Sequence, residues 1–157
     1  MLFCKKYFIA LFFLLLIFIQ GCSVKTALNK QGEYLCTLPD LPSTSNREAT
    51  LKTANTLEIQ GDKFFLENSY LNASNCFQQA SKIRTDILGL KHTSLLKNLY
   101  NLATIYEIRE EYNKAENSYK KALNILKNQP RPAPTKVNKT LGFLTAIRYQ
   151  KSLKSNE

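Results

Sequence analysis

The stretch NLYNLATIYEIREEYNKAENSYKKALNIL, residues 98–126, decides the fold of this chain. Its apolar, small and aromatic residues recur at helical spacing. Small side chains such as Ala115 and Ala122 allow two helices to approach closely, and aromatic ones such as Tyr106 and Tyr119 fill the gaps between helices. The stretch therefore predicts a hairpin of two packed α-helices.

A second copy of this pattern lies 42 residues earlier in the chain. The shift superposes six identical pairs: Leu57 on Leu99, Tyr70 on Tyr112, Ala73 on Ala115, Asn75 on Asn117, Ala80 on Ala122 and Ile83 on Ile125. In the first copy we expect one helix over 46–67, a break at Asn68 and a second helix over 70–88. Gly89 followed by Leu90 is typical of a left-handed helix cap with a hydrophobic contact.

The repeated residues resemble the tetratricopeptide repeat. The resemblance rests on Leu99, Leu102, Ala103, Tyr106, Ala115, Tyr119 and Ala122 in the second copy, and on Leu57, Gly61, Phe64, Ala73, Phe77 and Ala80 in the first. The period of 42 residues is similar to that of the kinesin light chain type, whose linker the segment 87–93 (ILGLKHT) resembles. The resemblance implies an all-α fold, a short right-handed solenoid of helical hairpins.

The same register predicts a third inner helix beyond the second hairpin. Leu141 and Leu144 fall where Leu99 and Leu102 stand, but no second helix follows. We expect this lone helix to cap the stack, after the stiff proline-rich stretch 127–134. The predicted domains are a signal peptide over 1–21, a membrane-proximal tether over 22–44, two hairpins over 45–129, and a proline-rich linker with a basic capping helix over 130–157.

The N-terminal region predicts export and lipid attachment. The unbroken apolar run FIALFFLLLIFI (8–19) follows two lysines, a pattern that is typical of a signal peptide and too short for a membrane-spanning helix. Ile19-Gln20-Gly21-Cys22 then resembles the bacterial lipobox, which implies that Cys22 is lipidated and begins the mature protein. An ordinary secretion signal and a retained signal anchor are the alternatives. Ser23 after the cysteine favours the outer membrane, facing the periplasm.

The cysteine positions allow one disulfide. In an oxidising compartment, Cys36 and Cys76 remain once Cys4 leaves with the signal peptide and Cys22 is lipidated. A bridge between them would close a loop of about 40 residues and stabilise the fold by about 3 to 4 kcal/mol. A buried free thiol at Cys76 is the alternative.

Basic residues outnumber acidic ones, 22 to 12, and the excess lies near the C-terminus. Residues 120–157 hold nine basic side chains against Glu157 alone. Outside the cytoplasm, such a region fits anionic lipid, cell-wall polymer or an acidic protein better than nucleic acid. We therefore expect no nucleic-acid partner. The alternative is that these basic residues form a solvent-exposed helix face that binds no partner.

No motif predicts catalysis, a metal site or a cofactor. His92 is the single histidine, and it occupies the linker position where the resembled family has a structural histidine. Carboxylates that lie close to one another in the sequence suggest acid and base chemistry. However, Glu110 with Lys114 and Glu116 with Lys120 have the spacing of exposed helix ion pairs. We therefore expect a protein that is not an enzyme.

The resemblance also implies where a partner binds. In the family, the first helix of each hairpin lines a concave groove that holds a segment of another protein. Position by position, it implies Asn55, Glu58, Ile59, Asp62 and Phe65 in the first hairpin, and Lys97, Tyr100, Asn101 and Thr104 in the second. Asn101 is the principal candidate, because its amide can donate and accept hydrogen bonds to a ligand backbone. The alternative is that Tyr100 and Phe65 only pack against neighbouring helices.

The sequence thus predicts a lipid-anchored scaffold that binds another envelope protein during assembly of a bacterial envelope complex, such as a pilus or secretion system. A second hypothesis is an anchor for anionic lipid or cell-wall polymer that acts through the basic C-terminal helix. Binding through that helix would weaken steeply with rising salt, whereas groove binding would weaken much less.

Overall fold

Residues 47–155, the part of the chain that the computed structural model describes, form five α-helices. They are α1 (Arg47–Leu66), α2 (Tyr70–Leu88), α3 (Leu96–Ile108), α4 (Tyr112–Lys127) and α5 (Pro134–Lys154), with a 3-10 turn at Thr93–Leu95 before α3. No β-strand occurs in this range. Helices α1 and α2 form one hairpin, α3 and α4 form another, and each helix packs mainly on its neighbours in the chain. The predicted all-α hairpin fold is confirmed.

The same turn joins the two helices of each hairpin. Asn68 and Glu110 lie 42 residues apart, and both have a positive φ, of 58° and 57°. In each turn, the following backbone N–H donates to a carbonyl in the last turn of the helix, at 2.9 Å from Ser69 and 2.7 Å from Glu111. This Schellman geometry satisfies the C-terminal carbonyls of α1 and α3. The period in the sequence therefore extends to the backbone conformation of the turns.

Two local predictions are wrong. Gly89 follows α2 with a positive φ of 87°, but its ψ of 159° is extended rather than left-handed helical. Leu90, the predicted hydrophobic contact, is 75% exposed. Glu110 does not pair with Lys114, because Glu110 lies in the turn before α4, where i,i+4 spacing no longer brings side chains together. Lys114 pairs instead with Glu111 at 2.5 Å.

Small residues at the helix crossings allow the first hairpin to close. Its core consists of Ala54, Leu57, Cys76, Ala80 and Ile83. Gly61 of α1 lies directly against the ring of Phe77, and a Cβ at this position would come within 2.7 Å of a ring carbon. The close approach of α1 to α2 therefore requires glycine at this crossing.

A larger core joins the second hairpin to α2 and α5. Its buried members are Ala73, Phe77, Leu102, Ala103, Ile105, Tyr106, Ala115, Tyr119, Leu144 and Ile147. Full burial of each large apolar side chain contributes about 1.5 to 3 kcal/mol relative to leaving it exposed. The stack is therefore held together by apolar contacts that continue from α2 to α5.

Helix α5 keeps the register of α3. Its buried residues Thr140, Leu144 and Ile147 each lie 42 positions after a buried residue of α3, respectively Asn98, Leu102 and Ile105. Leu141 falls where Leu99 stands, yet Leu141 is 40% exposed and Leu99 only 8%. Within 47–155 no further helix follows α5 to cover Leu141. Helix α5 therefore caps the described stack with one buried face.

Several predictions fall outside the described residues. The signal peptide (1–21), the tether (22–44), Cys22 and Cys36 all precede Arg47. Cys76 is fully buried and disulfide-bonded. Since the described part of the chain holds no other cysteine, the pairing of Cys76 with Cys36 stays a prediction, as do the domain boundaries. Between residues 47 and 155, no helix combines the length and apolar character needed to cross a bilayer.

Candidate functional site

The predicted groove residues lie on α1 and α3, the first helix of each hairpin, and fall into two places. Asn55, Glu58, Asp62, Lys97 and Asn101 take part in a network of ion pairs and hydrogen bonds. Tyr100 and Thr104 line a cavity shared with α4 and α5. Ile59 is 69% exposed, and Phe65 packs edge-on against Tyr70 with ring centroids 5.7 Å apart.

The ionic network joins α1, α2 and α3. Its members are Asn55, Glu58, Asp62, Arg84, Lys97, Asn98 and Asn101. Arg84 and Glu58 form a direct ion pair at its centre, with side chains only 8% and 14% exposed. Arg84 also donates to the Asn55 amide oxygen at 2.8 Å. In the amide orientation that satisfies both neighbours, the buried Asn98 donates to Glu58 at 2.9 Å and accepts from Arg84 at 2.8 Å. The buried charges are therefore paired and hydrogen-bonded, as burial requires.

Lys97 extends the network toward the surface of α1. Its ammonium nitrogen lies 2.8 Å from a carboxylate oxygen of Glu58 and 2.8 Å from one of Asp62. Burial alone would raise the pKa of Glu58, but hydrogen bonds from Lys97 and Arg84 outweigh burial and hold that pKa below its usual 4.5. The bonds to Asp62 and Glu58 raise the pKa of Lys97 above 10.5. At neutral pH the network therefore balances two carboxylates with two cations.

Asn101, the principal candidate for ligand binding, is already engaged by α1. Its amide nitrogen donates to an oxygen of Asp62 at 3.3 Å, which is longer than the usual N–H···O distance. Lys97 contacts the same carboxylate. A ligand at this end of the groove would therefore compete with Asp62 for both side chains.

The aromatic pocket is a cavity of about 600 Å³ between α3, α4 and α5. Leu96, Tyr100, Thr104, Glu107, Tyr119, Lys136, Lys139 and Phe143 line it. Three of these side chains contribute aromatic rings. The ring centroids are 6.1 Å apart for Tyr100 and Tyr119, 6.3 Å for Tyr100 and Phe143, and 5.1 Å for Tyr119 and Phe143. A concave cavity of this size with an apolar wall is the usual form of a binding site.

Both tyrosine hydroxyls of the pocket are hydrogen-bonded within the protein. Tyr119 donates to Glu107 at 2.5 Å, and the Tyr100 hydroxyl lies 2.6 Å from that of Thr140. Burial and the Glu107 carboxylate raise the pKa of Tyr119 well above its usual 10.0, so the phenol stays protonated. Tyr100 therefore packs against neighbouring helices and also lines the cavity.

The C-terminal half of α5 carries basic side chains that pair with two carboxylates, one in α4 and one in the turn before it. Arg148 and Lys151 lie 3.1 Å and 3.7 Å from the carboxylate of Glu116. Lys154 pairs with Glu110. The three basic side chains are 49–61% exposed, so each pair contributes little to stability, but together the pairs reduce the positive potential that this end of α5 presents.

Residues 52–128, from α1 to just past α4, match the family model described as tetratricopeptide repeat. The chain carries a tetratricopeptide repeat domain. The predicted family is thus confirmed. No curated protein is significantly similar to the chain. Tetratricopeptide repeats generally mediate protein–protein interaction or scaffolding, and the family is typically not catalytic.

The tetratricopeptide pattern alone misses two residues of the ionic network and most residues of the aromatic pocket. Arg84 and Asn98 both contact Glu58 at the centre of the ionic network. The sequence gives a single indication of Arg84 as a network residue, namely a charged side chain directly after the apolar Ile83 of α2. Lys136, Lys139 and Phe143 belong to α5, which lies beyond the matched residues 52–128. Transfer of family positions could therefore not assign them to a groove.

Proposed function

We propose that this protein is a lipid-anchored adaptor of the bacterial cell envelope. Its tetratricopeptide repeat domain binds a segment of another envelope protein during assembly of a complex such as a pilus or secretion system. The observation that carries this proposal is the aromatic pocket beside α3, the first helix of the second hairpin. Protein binding is the general role of the family, and this cavity offers a partner an apolar site of suitable size.

The ionic network and the aromatic pocket have different roles in this proposal. The network links α1 to α3 through paired charges, and loss of one partner of a buried pair typically costs about 3 to 5 kcal/mol. It therefore fixes the relative position of the two helices that flank the groove. The pocket lies on the other side of α3 and provides the contact for the partner.

The lipid anchor is supported by the lipobox-like residues before Cys22 and is tested by Cys22→Ala. The thiol is the acyl acceptor, so this change should abolish labelling by an alkyne analogue of palmitate and leave an unprocessed precursor. Ser23→Ala keeps the cysteine and should label as the wild type does. Equal labelling of both variants would refute the anchor.

The binding function is tested by site-specific photocrosslinking in native membranes. A photoreactive amino acid with a short aliphatic diazirine side chain, small enough to leave the pocket open, replaces either Thr104, which lines the aromatic pocket, or Lys121, an exposed residue of α4 that lies outside this pocket. The Thr104 position should crosslink to a defined envelope protein, and the Lys121 position should not. Identical crosslinks from both positions, or none from Thr104, would refute partner binding at this site.

The alternative function, anchoring of anionic lipid or polymer by the basic C-terminal helix, has weaker support. Glu116 and Glu110 pair with Arg148, Lys151 and Lys154 and compensate part of their positive charge. If this alternative held, retention on anionic vesicles would fall steeply as ionic strength increases and would depend on these three residues.

A further inference from the structure

Within residues 47–155, the basic side chains of α5 that form no ion pair both border the aromatic pocket. Toward its C-terminus, Arg148, Lys151 and Lys154 all pair with glutamates. Near its N-terminus, Lys136 and Lys139 line the pocket, and no acidic side chain of residues 47–155 forms an ion pair with either. Two exposed ammonium groups thus stand one helical turn apart on the same wall.

Glu107, the single carboxylate that lines the pocket, forms no ion pair with Lys136 or Lys139. Glu107 accepts the short hydrogen bond from Tyr119, at 2.5 Å. Lys139 contacts the face of Phe143 instead, with its nitrogen 5.7 Å from the ring centroid. The pocket therefore has two cations without an acidic partner, and a carboxylate brought by a ligand would complement them.

The base of the pocket favours an apolar group over a polar one. The hydroxyls of Tyr100 and Tyr119 are bonded to Thr140 and Glu107, so neither needs a hydrogen bond from a ligand. A polar group buried against the three rings would lose its hydrogen bonds to water without replacement. An aromatic or branched aliphatic side chain loses nothing of this kind and gains contact with the rings.

We propose that the aromatic pocket binds an extended segment of a partner protein in which one aromatic or branched aliphatic side chain stands next to aspartate or glutamate. The apolar side chain fills the space among Tyr100, Tyr119 and Phe143, and the carboxylate lies between Lys136 and Lys139. This proposal rests on the proposed adaptor function and names the chemistry of its partner. It favours an acidic protein over a membrane, because the cations border a concave cavity rather than a flat face.

Selection of random peptides displayed on phage, against the full chain in detergent micelles, tests this proposal. We expect enriched peptides to combine an apolar side chain with a neighbouring acidic one. Their affinity, measured by fluorescence anisotropy on synthetic copies, should fall about tenfold or more for the double variant Lys136→Glu, Lys139→Glu. Thr104→Trp, which fills the pocket from an exposed position, should abolish binding.

The matched control is Lys121→Glu with Lys127→Glu. It makes the same change in net charge at exposed lysines outside the aromatic pocket, and it should leave peptide affinity unchanged. Thermal unfolding of all variants would show that they remain folded. An equal loss of affinity in the control would overturn the proposal, because a long-range charge effect would then explain the binding.

Other outcomes separate this proposal from the adaptor function. Enriched peptides that lack acidic residues, or that bind the Thr104→Trp variant normally, would overturn the proposed ligand chemistry. The same holds if no peptide is enriched while Thr104 still crosslinks to a protein, and in each case the adaptor function stands. Failure of both experiments would overturn both proposals. Displacement of bound peptide by phosphatidylglycerol vesicles, but not by phosphatidylcholine vesicles, would point to a membrane surface instead.

Discussion

Replacing Gly61 with alanine should destabilise the protein, although alanine is normally the better helix former. The new Cβ would lie 2.7, 2.9 and 3.0 Å from three carbon atoms of the Phe77 ring. Phe77 is fully buried, so its ring can move only by displacing its neighbours. Overpacking of this kind costs about 1 to 3 kcal/mol, and three short contacts place this case in the upper half of that range. Improved helix propensity offsets about 1 kcal/mol, which leaves a net loss of about 1 to 2 kcal/mol.

The same substitution at Gly142 provides the control. Gly142 also lies inside a helix, α5, but a Cβ there would meet no atom within 4 Å. Only the helix propensity changes, so Gly142→Ala should stabilise the protein by about 0.5 to 1 kcal/mol. The same substitution is therefore expected to lower the stability of the protein at Gly61 and to raise it at Gly142.

Urea and thermal unfolding of the three proteins measure these changes. In a small domain, 1 kcal/mol shifts Tm by about 4 to 8 °C. Phe77→Leu will itself reduce stability, but in that background the additional cost of Gly61→Ala should largely disappear, with a coupling energy of about 1 kcal/mol or more. A Gly61→Ala protein as stable as the wild type, or one whose cost is unchanged beside Phe77→Leu, would refute the close packing of α1 on α2.

Three further changes test the network, the turns and the hairpin crossing. Because the pKa of Glu58 is lowered in the folded protein, its charge stabilises the fold above pH 4.5, and this stabilisation is lost as pH falls through the lowered pKa. Glu58→Gln should therefore lower the free energy of unfolding by about 3 kcal/mol or more at pH 7. Urea titrations should show that the difference in stability between variant and wild type becomes smaller below pH 4.5. Glu110→Gly should raise Tm, because glycine relieves about 1 kcal/mol of backbone strain at φ 57°. The substitution also removes the ion pair with Lys154, but that pair is exposed and contributes little. A lower Tm would contradict this expectation. Ala115→Leu should cost about 1 to 3 kcal/mol at a fully buried crossing, and an unchanged Tm would argue against the hairpin register.

The repeat made most of the fold predictable from the sequence. Helical spacing and the shift of 42 residues indicate α2 with the bounds that the structure has, Tyr70–Leu88, and they place Leu144 of α5 in the core. The local ion pair of Glu116 with Lys120 is also confirmed, at 2.8 Å. These features depend on near neighbours in the chain, or on one period, and a sequence displays both directly.

The partners of the groove residues were not predictable in the same way. Family positions select Lys97 and Asn101 as ligand contacts, whereas in the structure both contact Asp62, more than 30 residues earlier in the chain. Which carboxylate meets which cation depends on the rotation and spacing of α1 against α3. Those quantities follow from packing of the whole stack, including the tight Gly61 crossing, and no local pattern encodes them.

Contacts in this stack run mainly between helices adjacent in the chain, from α1 with α2 to α4 with α5. Loops that close such contacts are short, so little entropy is lost before they form, and folding should take microseconds to milliseconds. Protection of backbone amides from exchange should be greatest in α2, α3 and α4, while α5, which packs chiefly on α4, should open first. A chain threaded unfolded across a membrane could therefore fold one hairpin at a time as it emerges, before its last helix is released.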